Sequence, residues 1–244
     1  GFKMEWRAHV QSVLVFLLVA VSAAGFSGCQ EPDVQTKPAV VIHTPLMHID
    51  RLEFAEELDL KRAAYPYNID ENPAEYNEMV IHLVEMLSEE LVLLTAALDK
   101  GVAVTDHDVD LAEAEFRSDY PEDSFEKMLL ENAVPYTLWK KRFKREKIME
   151  KLVEKELTGK IEITSQDLVR YYDELKKSDP DQLQNTSETV LVERLRLKKT
   201  QEQYDQWIEE LWTQYPVEIN KDVLKTFLIA DEMIRGRNKD RDIN

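Results

Sequence analysis

AEYNEMVIHLVEMLSEELVLLTAALDKGVAVTDHDV, residues 74–109, decides the fold. Met79, Leu83, Met86, Leu87, Leu91, Leu94 and Leu98 recur at three- and four-residue steps, which predicts one long helix from about Ala74 to Lys100 with a broad apolar face. Gly101 sits where a helix commonly closes through a residue in the left-handed conformation. Val102 and Val104 then alternate across an extended step. Thr105, with Asp108 three residues on, has the form of a helix cap. Val109, Ala112 and Phe116 continue at helical spacing.

The same grammar returns at residues 159–175. Gly159 follows a helix, Ile161 and Ile163 alternate, and Thr164 stands three residues before Asp167. Leu168, Tyr171, Tyr172 and Leu175 then form an i, i+3, i+4, i+7 stripe. Between the two passages the pattern predicts a short helix near residues 124–132. A longer one spans Pro135 to Leu157, with Pro135 at the first helical position and Leu138, Phe143, Met149, Leu152 and Val153 buried. Upstream, Leu52, Ala55 and Leu58 predict a helix over Ile49–Leu60, and the Pro66 and Pro73 neighbourhoods read as loops. Downstream, residues 178–187 are a polar loop. A helix over Glu188–Gln214 turns Leu191, Leu195, Tyr204, Ile208 and Leu211 inward. Pro216 ends it, Val217–Ile219 alternates as a strand, and Val223–Ile229 is one more short helical segment. The expected class is all-α, with at most a two-stranded pairing of Val40–Ile42 beside Val217–Ile219.

The N-terminus carries a different signal. Lys3 and Arg7 precede an uncharged apolar stretch from Val10 to Gly25, shorter than the roughly 18 residues of a comfortable membrane span. It leads to Phe26-Ser27-Gly28-Cys29, which resembles the lipobox of bacterial lipoproteins, with Phe26 where Leu, Val or Ile is usual. The resemblance implies cleavage before Cys29 and a lipid on its sulfur. Gln30, in place of Asp, implies the outer membrane. Cys29 is the single cysteine, so no disulfide forms within the chain. The expected organisation is a signal peptide at 1–28, a lipidated cysteine and tether at 29–45, a helical domain at 46–228, and a charged, disordered tail at 229–244.

A net charge of −17, from 48 acidic against 31 basic residues, argues against nucleic acid as a partner, because phosphate binding relies on Lys and Arg to displace counterions. No GxSxG, phosphate-cradling or dinucleotide motif occurs, and six glycines leave little for one. Glu78, His82 and Glu85 share one helix face, yet without a second histidine-bearing helix they read as a solvated polar face. His43, His48 and His107 read as surface or capping residues. No enzyme, cofactor or metal is expected.

The order of elements resembles the chaperone domain of the SurA/PrsA group of extracytoplasmic folding factors. The passages that carry it are Glu89–Ala97 with Gly101, Val104-Thr105 and Asp108-Val109; Phe125, Leu129 and Leu130 followed by Trp139 and Phe143; and Ile163-Thr164 with Asp167-Leu168 and Tyr171-Tyr172. Leu195–Trp207, Leu211 and Val217–Ile219 resemble the returning helix and strand. In that group a parvulin-type prolyl isomerase domain of roughly 100 residues is inserted between these parts. Here residues 178–187 offer only a loop. The resemblance therefore implies a chaperone fold without isomerase chemistry, acting on unfolded or partly folded exported proteins. Met side chains adapt to varied surfaces, so Met79, Met86, Met128 and Met149, with Trp139 and Phe143, are the candidate client contacts. The competing expectation is an assembly or scaffold lipoprotein with one folded partner.

The anchor is directly testable. Cys29→Ser abolishes incorporation of labelled lipid and moves the protein out of the membrane fraction; a Cys29→Ser chain that still carries lipid would show that another residue is the anchor.

Overall fold

A computed structural model describes residues 38–121, 124–132, 134–178 and 186–230. The expected signal peptide, Cys29, residues 179–185 of the expected loop and the expected tail from 231 onward lie outside them. The fold is mainly helical. β1 (Val40–His43) and β2 (His48–Asp50) form a hairpin, followed by α1 (Arg51–Ala63), a 3₁₀ turn at Ile69–Glu71 and the long α2 (Pro73–Asp99). Then come α3 (Asp106–Ser118), α4 (Ser124–Glu131), α5 (Tyr136–Glu156), a 3₁₀ turn at Thr158–Lys160, α6 (Ser165–Ser178), α7 (Glu188–Gln214), β3 (Glu218–Ile219) and α8 (Lys221–Lys225).

The expected pairing of chain ends is present: β1 runs antiparallel to β3, with Ile42 opposite Ile219 and His43 opposite Glu218. The sheet has a third strand, in the order β2-β1-β3. Ile49 and Asp50, expected to open a helix, instead pair with β1 together with His48. Asp50 is the cap of α1, its carboxylate accepting from the Leu52 and Glu53 N–H groups at 2.9 Å each. The inward face of α1 is accordingly Phe54, Glu57 and Leu58, while Leu52 is 63% exposed. β1 is part of the packed body: Val41 and Ile42 are fully buried.

Three apolar clusters hold the molecule together. The first joins the sheet, α1, the first half of α2 and α8. The second joins Val92–Ala97 of α2 to Met149 and Leu152 of α5 and to Ile208 and Leu211 of α7. The third packs Val109, Phe125, Leu129, Trp139 and Phe143 from α3, α4 and α5. A clasp closes the end of the described chain: the Asn77 amide donates to the Ile229 carbonyl and accepts from its N–H, both at 2.9 Å. Phe227 packs on Phe54 with ring centroids 4.7 Å apart.

The twice-used Gly–Thr–Asp grammar has two physical causes. Gly101 adopts φ +61°, and the Val102 and Gly101 N–H groups bond back to the Ala97 and Leu98 carbonyls, which closes α2 with a left-handed residue. Leu98, expected inward, lies at this end and is 58% exposed. Gly159 has no positive φ. It lies inside a 3₁₀ turn, where a Cβ would stand 2.7 Å from the Glu154 carbonyl oxygen. Thr105 and Thr164 both form reciprocal caps, with Asp108 and Asp167. Pro135 precedes α5 as its cap residue, and Leu138 and Val153 are only half-buried. α8 opens earlier than expected because the Asn220 side chain caps it.

Gly101→Ala should cost about 1–2 kcal/mol, from the left-handed backbone alone, since nothing crowds the new methyl. Gly159→Ala should cost at least as much, through overlap with backbone that cannot step aside. Urea midpoints check both, and an unchanged Gly159→Ala chain would refute the close-approach explanation.

Candidate functional site

The six residues expected to touch clients divide between core and surface. Met79, Met149, Trp139 and Phe143 are all buried, Met79 to 1% exposure. Trp139 stacks on Phe143 at 4.9 Å between centroids and meets Phe125 edge-on at 4.8 Å. These four are core residues and form no surface groove: Met79 lies in the first cluster, Met149 in the second, and Trp139 and Phe143 among the aromatics of the third, which pack on one another. Met86 and Met128 are half-buried against the first and third clusters. Helical spacing does not separate a residue that faces a core from one that faces a groove.

Exposed apolar side chains occur on several elements, Tyr67 and Leu130 being the most exposed, and four of the thirteen large ones among the described residues lie on the helix pair α6 and α7. α6 packs chiefly on α7, and its one buried residue is Asp167. Its stripe of Leu168, Tyr171 and Leu175 is half-buried, and Tyr172 and Val169 are 47% and 61% exposed. On α7, Leu191 and Leu195 are buried, while Val190 and Leu197 face solvent. The C-terminal half of α7 belongs to the second core through Ile208 and Leu211. The C-terminal half of α7 is thus rooted in a core, while the pair presents Val169, Tyr172, Val190 and Leu197 at separate points along its length. At the root, Asp167 accepts from Thr164 N and Oγ1, from Lys199 Nζ at 2.7 Å and from Arg170 Nη2 at 2.5 Å. The Lys199 ammonium, with the Thr164 donors, holds its carboxyl far below the usual range. Beside it a cleft of about 550 Å³ is lined by Ile161, Ile163, Leu168, Val192 and Arg196, with Glu162 and Glu188 contributing.

A second cleft, of about 630 Å³, lies over the turn between β1 and β2 and includes His43, Leu46, His48, Glu218 and Ile219. His43 Nε2 is 3.3 Å from Glu218 Oε2, and His48 is the cross-strand partner of His43. His82 lies 3.6 Å from Glu85 on the exposed face of α2. Among the described residues no three metal-ligating side chains converge. No described helix is long and apolar enough to cross a membrane.

The buried charges knit the body. Glu57, buried on α1, pairs with Arg142 of α5. Arg145 pairs with Glu53 and approaches Glu90 at 3.5 Å, and Lys141 reaches Glu53 at 3.1 Å. Burial pushes the Glu90 carboxyl up, more than Arg145 pulls it down. Burial also acts on Glu53, but Arg145 and Lys141 together hold it below the ordinary value. On α3, buried Glu113 accepts from Tyr136 Oη at 2.8 Å and Arg117 at 3.1 Å, with Lys140 at 3.2 Å. Burial and the Asp99 carboxylate, which accepts its hydroxyl proton at 2.7 Å, push Tyr215 up to about 12.

No family model and no curated protein sequence matches the chain.

The opposite shifts of Glu53 and Glu90 make opposite contributions to pH dependence. Glu90 binds its proton more tightly folded than unfolded, so its charged form weakens the fold as pH rises above the ordinary carboxylate value. Glu53 contributes stability that is lost as pH falls through its lowered value. Glu90→Gln should therefore be at least as stable as the parent at about pH 8, with a smaller decline between about pH 5 and pH 8. A urea midpoint for Glu90→Gln well below the parent's at pH 8 would overturn that assignment.

Proposed function

We propose that this chain is a lipid-anchored extracytoplasmic holdase. It binds unfolded or partly folded exported proteins, outer-membrane or secreted, reversibly and without ATP or a covalent step. The observation that carries the reading is the α6–α7 pair, with Val169, Tyr172, Val190 and Leu197 turned to solvent on two helices in contact. Exposed apolar side chains grouped on one element favour association. Four such positions on two adjacent helices give an extended client several weak footholds rather than one deep pocket.

The acidic surface complements this role. A net charge of −17 deters self-association of a protein that displays apolar side chains. It also leaves nucleic acid an unfavourable partner. The order of elements that resembles the SurA/PrsA group supports the same reading: a strand pair joining the two ends, a long helix, an aromatic-rich pair of helices, and a capped helix before the returning one. In this reading the chain acts without a parvulin domain and without catalysis. Phe26-Ser27-Gly28-Cys29 after an apolar run supports attachment of the protein to the outer membrane through Cys29.

Binding to several unfolded outer-membrane proteins, and suppression of their aggregation, should be measured for the parent and for Val169→Asp/Leu197→Asp. Both positions are exposed, so the double variant should keep its unfolding free energy in urea within about 1 kcal/mol of the parent's while losing most of its suppression. Unchanged suppression would remove the helix pair from the mechanism. Tight binding to a single folded protein, with none to any unfolded chain, would point instead to a scaffold lipoprotein.

A further inference from the structure

The cleft at the root of α6 contains an unmet electrostatic demand. Arg196 lines it, and its Nε is one of two buried side-chain nitrogen or oxygen atoms among the described residues that meet no hydrogen-bond partner. The neighbouring cations differ: Lys198 holds Glu174 and Lys199 holds Asp167, each at 2.7 Å. A desolvated guanidinium N–H without an acceptor is costly, and a carboxylate from outside removes the cost when the side chain turns its buried edge toward the cleft and pairs side-on through Nε and a terminal nitrogen.

We propose that this cleft receives the C-terminal residue of an extended client chain, with an apolar side chain against its walls and the α-carboxylate on Arg196. Ile161, Ile163, Leu168 and Val192 supply apolar walls around the cation. A carboxylate and an apolar side chain occur on one residue only at a chain's C-terminus; an internal Asp or Glu presents its acid without one. Glu162 and Glu188, also lining the cleft, repel further negative charge. They favour a single terminal carboxylate over an acidic run. The proposal rests on the α6–α7 pair being the client surface, and adds to that reading a preference for chain ends.

The test uses the full chain in detergent micelles and a fluorescein-labelled decapeptide that has no acidic residue and ends in Leu-Phe. Anisotropy compares the free acid, the C-terminal amide, and an amide carrying one internal Glu. The free acid should bind about tenfold more tightly than either amide, the effect of one charge-assisted pair. Arg196→Gln should erase the difference, and Arg196→Lys should keep part of it. Glu188→Gln, an exposed change that leaves Arg196 in place, should tighten the free acid by about twofold through removal of one repulsive charge. Equal affinities for acid and amide, or an acid preference that survives Arg196→Gln, would overturn the site. Aggregation suppression measured on the same samples separates the two claims. Suppression with equal affinities leaves the holdase standing and removes the carboxylate site. An acid preference without suppression does the reverse.

Discussion

Seven consecutive residues of α2, Leu91 to Ala97, are buried on every side. A helix can be apolar all round only if other elements enclose it, and that constraint organises the molecule. The sheet and α1 take the N-terminal part of α2, while α5 and α7 take the C-terminal part. Thr95, the polar member of the run, donates to the Leu91 carbonyl, and its oxygen lies 2.6 Å from Thr44 Oγ1. The turn between β1 and β2 is thereby fixed to the middle of the fold by a bond between two buried hydroxyl groups.

Charge supplies the second constraint. Of the chain's many carboxylates a few lie inside, and α5 meets two of these, Glu57 and Glu113, by carrying Lys140, Lys141, Arg142, Lys144 and Arg145 in sequence around Phe143. These cations reach acids on α1, α2 and α3: Glu53 and Glu57, Glu90, and Asp106, Asp110 and Glu113. Phe143, amid the same cations, enters the aromatic cluster. One helix therefore contributes apolar packing on one face and charge neutralisation on the others. The buried pairs make its position relative to α1 specific, whatever their net contribution to stability.

Most of the helical framework was legible in the sequence because capping and periodicity are local. Thr105–Asp108 and Thr164–Asp167 mark helix starts with side chains three residues apart, and both caps form. The meeting of Val40–Ile42 with Val217–Ile219 was legible as alternation and position. The role of His48–Asp50 was not, since three residues carry no period, and only pairing with β1 distinguishes them from the first turn of α1. The candidate surface was harder to read. Met79 and Trp139 look as adaptable in the sequence as Tyr172 or Leu197, and what separates them is which helices pack over each, a tertiary fact. Arg196 was invisible for the same reason, because an unpaired cation is defined by neighbours that are distant in sequence.

The β1–β3 pairing also sets the order in which the chain can finish. Synthesis runs from the N-terminus, so β1 exists long before Ile219 is made, and for that interval one of its edges has no partner. An unpaired edge is a template for any other strand, and joining ends this far apart in sequence is slow because the intervening loop is long. The first core lacks Leu224 and Phe227 until the last described segment arrives. The newborn protein is thus itself an incomplete chain with an exposed strand edge until its final turn docks and the Asn77 clasp shuts.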